Sequence, residues 1–130
     1  MKRFVRLTGI FLIAAMLCGT LTGCKAFDYR KAQKLCDKGE YLEASALFSS
    51  LEDYKDSAEQ ANEAYRLYGV QLSESRNYEA SILVLETLVD TYAPAQETLN
   101  DVRIAYGEDL AKNQNYEKAT EIFKTCEVNE

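Results

Sequence analysis

Apolar positions recur at steps of three and four in three separate stretches of this chain. The first set is Tyr41, Ala44, Leu47, Phe48 and Leu51. The second is Tyr78, Ser81, Ile82, Leu85, Leu88 and Val89, and the third is Tyr116, Ala119, Ile122, Phe123 and Cys126. That spacing lines one face of an α-helix. The stretches before the second and third sets, 65–72 and 104–111, carry a matching stripe. Asn77 and Asn115 stand where an N-cap is wanted. Pro94 suits a first helical turn, where its missing N–H costs nothing. The segment Asp53-Tyr54-Lys55-Asp56-Ser57 interrupts the pattern, and Asp56 and Glu59 have capping-box spacing. The pattern predicts helices over about 27–38, 41–51, 56–75, 78–90, 94–113 and 116–127, with no strand.

The stretches are also copies of one another. Tyr41, Tyr78 and Tyr116 align at intervals of 37 and 38. Ala44, Ser81 and Ala119 form a small column, and Phe48, Leu85 and Phe123 a large apolar one. Upstream, Ala32, Gly69 and Gly107 form a second small column, each followed three residues later by Leu35, Leu72 or Leu110. Repetition at this period signals stacked supersecondary units. The fold class expected is all-α: a solenoid of about three antiparallel helix hairpins over 28–130. Gly inside a helix costs about 1 kcal/mol against Ala, so Gly69 and Gly107 imply close approach of the paired helix.

These columns resemble the tetratricopeptide repeat family. They match its small residue and following apolar residue on the first helix, and its aromatic, small and large residues on the second. The period exceeds the family's 34 residues, and the family's terminal proline has no clear counterpart beyond Pro94 in one unit. The resemblance implies a concave groove lined by the first helix of each unit. On this chain that face holds Tyr29, Gln33, Cys36 and Asp37; then Glu63, Arg66, Val70, Ser73 and Glu74; then Asp101, Ile104, Glu108, Ala111 and Lys112. The set leans acidic with a few apolar footholds, which would suit a basic or amphipathic peptide.

The N-terminal segment follows another pattern. Lys2, Arg3 and Arg6 precede an apolar run from Leu7 to Leu17. The run is short for a bilayer span, which needs roughly 20 residues, and reads as a secretory signal over 1–23. Leu21-Thr22-Gly23-Cys24 resembles the bacterial lipobox. By that resemblance a diacylglyceryl group joins the Cys24 thiol and cleavage falls between Gly23 and Cys24. Residues 24–27 would then be a lipidated tether, and the chain would sit outside the cytoplasm on a cell membrane.

Removal of 1–23 leaves 107 residues, one domain's worth, with 12 basic and 21 acidic side chains and a balance of −9. So acidic a chain is a poor match for nucleic acid. The same balance argues against a polybasic contact with anionic lipid. Beyond Cys24 only Cys36 and Cys126 remain. The repeat order puts them at opposite ends of the array, too far apart for a bridge.

No histidine occurs anywhere, which removes the commonest general base and metal ligand. No phosphate loop or paired-cysteine motif appears, and the carboxylates fall at helix-surface spacing. The expectation is a non-enzyme with no metal and no cofactor beyond the covalent lipid.

Repeat arrays usually finish on a helix with a polar outer face. Here Tyr116, Ile122 and Phe123 belong to the last predicted helix, which makes them a candidate end contact for a partner or a second copy. The expected role is a membrane-anchored scaffold that binds another envelope protein or peptide. The alternative is a structural subunit of an envelope complex that acts through that end.

Overall fold

Three tight turns of one geometry organise the chain. In the computed structural model, which describes residues 23–126, they lie at 38–40, 75–77 and 113–115. Gly39, Arg76 and Gln114 take left-handed backbone angles, with φ of 77°, 60° and 64°. The following N–H groups of Glu40, Asn77 and Asn115 reach back to the carbonyls of Leu35, Leu72 and Leu110 at 2.9, 2.8 and 2.9 Å. The N–H groups of Gly39, Arg76 and Gln114 bond the carbonyls of Cys36, Ser73 and Ala111. These paired bonds are Schellman motifs, which satisfy the orphan carbonyls at a helix end. The repeated leucine column therefore marks where each first helix stops.

Six helices result among the described residues. They are α1 (23–37), α2 (Tyr41–Ser49), α3 (Ser57–Glu74), α4 (Tyr78–Glu86), α5 (Pro94–Lys112) and α6 (Tyr116–Lys124). The Schellman turns join them as three antiparallel hairpins, α1–α2, α3–α4 and α5–α6. From α2 onward each helix packs on the next, and α3 also meets α5. The arrangement is all-α, six helices packed as adjacent antiparallel pairs, consistent with a small tetratricopeptide-like solenoid. Residues 24–27, read from the sequence as a tether, are helical and continuous with α1. Residues 1–22, nearly all of the 1–23 segment read from the sequence as a secretory signal, and residues 127–130 lie outside the described residues.

Two boundaries fall short of the apolar pattern. α2 ends at Ser49 and α4 at Glu86. Beyond them Leu51 N–H bonds Phe48 O, and Leu88 N–H bonds Leu85 O, both at 3.0 Å. This tighter i→i−3 winding keeps Leu51 and Leu88 pointing inward, and both are buried. The capping expectations fare unevenly. Asn115 accepts from Lys118 N–H at 3.4 Å, whereas Asn77 makes no side-chain cap. The Asp56–Glu59 capping box does not form, because both Asp56 oxygens are engaged by other side chains.

The core runs along the seam between helices. Ala32, Ala44, Phe48, Leu51, Ala61 and Ala64 form one cluster with Tyr29. Leu85, Leu99 and Val102 form a second, covered by Tyr78, Ile82 and Val89. The small column lets the second helix of each hairpin approach. Leu85 lies against Gly69 and Phe123 against Gly107, each too close to leave room for a methyl group. Ser81 is fully buried, and its Oγ donates to the Gly69 carbonyl at 2.6 Å. The hydroxyl thus reinforces the contact that the missing side chain permits.

Candidate functional site

The first helices of the second and third hairpins, α3 and α5, lie side by side with an open groove between them. Arg66, Val70, Ser73 and Glu74 line it from α3, and Thr98, Asp101, Val102 and Ala105 from α5. Its volume is about 310 Å³. Five of the residues expected on the concave face (Arg66, Val70, Ser73, Glu74 and Asp101) are brought together here.

The charges divide into a neutralised pair and an unpaired rim. Arg66 Nε donates to Glu63 Oε2 at 2.9 Å, and Nη2 donates to Oε1 at 2.6 Å. This two-pronged geometry fits the planar guanidinium to the carboxylate. Arg66 Nη1 reaches across the groove to Thr98 Oγ1 at 3.0 Å. Tyr92, from the connection between α4 and α5, donates its hydroxyl to Glu63 Oε2 at 2.7 Å. The Arg66 hydrogen bonds hold the Glu63 carboxyl below its ordinary range, against the effect of burial and with help from Tyr92. Burial first, then the bond to Glu63, pushes the Tyr92 hydroxyl up. Glu74 and Asp101 are exposed and meet no cation among the described residues. Val70, Val102 and Ala105 supply the apolar lining between these charges.

Tyr29 does not line a groove. It is 7% exposed and packs edge-on against Phe48 and Tyr54, with ring centroids at 5.4 and 5.8 Å. Its hydroxyl donates to Asp56 Oδ1 at 2.5 Å. The connection between α2 and α3 folds back over α1 and closes on the ring. Cys36 is half-buried against the same core, and burial is the main cause that pushes its thiol up. Gln33 and Asp37 remain exposed on α1. Ile104, Glu108, Ala111 and Lys112 stand on α5 outside the groove lining.

Tyr92, Thr98, Val102 and Ala105 escaped the sequence reading. The signal for Tyr92 is its place in the repeat: like Tyr54, it sits in the irregular connection after a second helix. Tyr54 closes over Tyr29, and Tyr92 bonds Glu63 one turn from Arg66; Tyr29 and Arg66 each stand three residues before the small column. One connection tyrosine therefore clasps the first helix of its own hairpin in both units.

At the other candidate contact, Tyr116 is 65% exposed and Phe123 41% exposed, while Ile122 is half-buried. Tyr78, the counterpart of Tyr116, is covered by stacking on Tyr106 of α5 at 5.1 Å. Among the described residues no helix follows α6 to cover Tyr116 in the same way. Gly23 and Cys24, the first described residues, are helical and exposed. Cys36 and Cys126 are free thiols.

Among the described residues no three His, Cys, Asp or Glu side chains converge to hold a metal ion. Nor is any described helix long and apolar enough to cross a membrane. Comparison with models of known protein families, with curated proteins and with solved structures gave no match.

Proposed function

We propose that this chain is a lipid-anchored binding module of the cell envelope, with Cys24 as the acylated residue. In this reading the groove between α3 and α5 receives a basic, amphipathic segment of another envelope protein. The observation that carries it is the division of charge in the groove. Arg66 is neutralised internally by Glu63, while Glu74 and Asp101 are left unpaired beside Val70, Val102 and Ala105. A cationic side chain over that rim, with an apolar neighbour over the valines, would satisfy both features. The likeness to tetratricopeptide repeats, which bind along the same helices, supports the assignment by analogy. The absence of histidine and of any convergent acid–base pair in the groove favours binding over catalysis.

The alternative, a structural subunit that docks through the far end, draws on the exposure of Tyr116 and Phe123. One comparison separates the two. A designed Lys/Leu amphipathic peptide should bind the protein, and Glu74→Lys with Asp101→Lys should abolish that binding. Ile122→Asp should leave it intact. Capture of the natural partner from crosslinked membranes should follow the same order. If Ile122→Asp alone breaks capture, the end contact is the functional one.

A further inference from the structure

The balance of −9 conceals a strongly polarised molecule. Residues 25–38 carry a charge of +3, and residues 39–130 carry −12. Along α1 and into its closing turn the cations are not scattered. Phe27, Lys31, Lys34 and Lys38 follow one another at steps of four, three and four, with Arg30 beside them, and all five are exposed. Cys24 lies three residues before Phe27 on the same stripe and is also exposed. The stripe faces away from Tyr29, Ala32 and Cys36, the residues that α1 turns into the core. Its acidic neighbours, Asp28 and Asp37, flank it at about a quarter-turn on either side. The side chains of Arg30, Lys31, Lys34 and Lys38 meet no carboxylate among the described residues. Lys25, off the stripe, is the one α1 cation that does, at 3.7 Å from Glu52.

We infer that this face of α1 lies on an anionic phospholipid surface. Four cations would meet lipid headgroups while Phe27, 70% exposed, enters the interface between them. Clustered Lys and Arg on a helix face are drawn to an anionic leaflet, and the one exposed aromatic between them can sit at headgroup level, as aromatic side chains do at membrane interfaces. The net acidity of the body does not oppose this. Charges more than about 8 Å from the surface are screened at physiological salt, and each further helix layer adds 8–10 Å. The membrane therefore feels the α1 cations and little of the acidic repeats. The acidic body instead orients the molecule, with the α3–α5 groove left in solution.

The position of Cys24 on the stripe ties this to the lipid-anchor reading, whereas the charge pattern stands without it. The chain has no tryptophan, so Phe27→Trp gives a single-site probe and Leu83→Trp, on exposed α4, a matched control. The processed full chain would be reconstituted into vesicles of phosphatidylglycerol or phosphatidylcholine with brominated acyl chains. The indole of the Phe27→Trp variant should be quenched several-fold more in phosphatidylglycerol. Arg30→Glu with Lys34→Glu, or 1 M salt, should remove the difference, and Leu83→Trp should show none. Each cation near such a surface is worth about fivefold in partition. Equal quenching of the Phe27→Trp variant in both lipids would overturn the proposal. So would a concentration-dependent blue shift without vesicles, which would put a second copy on the stripe. Intact mass reads the acyl group separately. An unacylated chain with lipid-selective quenching ends the anchor reading alone, and an acylated chain without selectivity ends this one alone.

Discussion

A methyl group placed on Gly69 would stand 2.9 Å from Cγ of Leu85, and Leu85 is fully buried with nowhere to retreat. Gly69→Ala gains about 1 kcal/mol of helix propensity. It loses about 1–3 kcal/mol to overpacking. The expected net result is destabilisation by about 1 kcal/mol, seen as a lower midpoint in urea. In a Leu85→Ala background the clash is gone, and Gly69→Ala should become stabilising. Additive effects of the two substitutions would contradict the seam. Gly107→Ala should cost less although its approach to Phe123 is closer, at 2.5 Å. Phe123 is 41% exposed, so its ring can swing outward.

The three Schellman turns differ in how well their residues suit them. Gly39 takes its left-handed angle freely, while Gln114, at φ 64°, carries a side chain there. A left-handed L-residue costs about 1–2 kcal/mol, partly offset by the extra chain entropy that Gly loses on folding. Gln114→Gly should therefore raise stability by about 0.5–1 kcal/mol, and Gly39→Ala should lower it by a similar amount. Thermal melts followed by circular dichroism would test both. Arg76 is a less clean site, because its guanidinium also pairs with Asp109 at 3.5 Å.

The Glu63 clamp predicts part of the acid limb of stability. The Arg66 hydrogen bonds lower the folded-state pKa of Glu63 below its ordinary value. Above that ordinary value both states are ionised and the clamp contributes fully. As pH falls, the unfolded chain takes up its proton first, so stability declines until the folded carboxyl protonates as well. Glu63→Gln should flatten this limb and cost about 1 kcal/mol near neutral pH, since it leaves a half-buried guanidinium short of its partner. Stability curves at acidic and neutral pH for wild type and variant provide the comparison. An unchanged slope would mean that the clamp contributes nothing.

At the other end of the scale, the hydrogen bond to Asp56 raises the Tyr29 hydroxyl from 10.0 to about 12, with burial adding to it. Below the ordinary tyrosine value both states hold the proton and the contact is intact. Between 10.0 and about 12 the unfolded chain loses it while the folded one keeps it, so stability falls with rising pH. Ultraviolet titration should find late-ionising tyrosines, Tyr29 and Tyr92 among them. Tyr29→Phe should remove one of these late steps and weaken the alkaline limb.

Much of this fold was legible because its signals are local. The tyrosine, leucine and small-residue columns mark six helices, their order and the close approach at Gly69 and Gly107. The α3 side of the groove was legible for the same reason, since Arg66, Val70, Ser73 and Glu74 share one face of one helix, and Asp101 was legible on α5. Tyr29 was misplaced because its surroundings depend on how residues 50–56 fold back. Period alone does not say which of two flanking faces a connection will cover. Thr98 was missed because its role exists only across the α3–α5 contact, and Tyr92 because its role depends on how the α4–α5 connection folds back onto α3.

The repeat, the stops of the three first helices and the lack of histidine follow from the order of residues alone. They follow from spacing, from the backbone demands of turns and from composition. Three other properties arose on folding: Arg66 is already neutralised, Tyr29 is interior, and four of the twelve cations beyond residue 24 stand exposed on the outer face of α1. Pairing and burial depend on distance in space, and a net charge carries no information about where its parts lie.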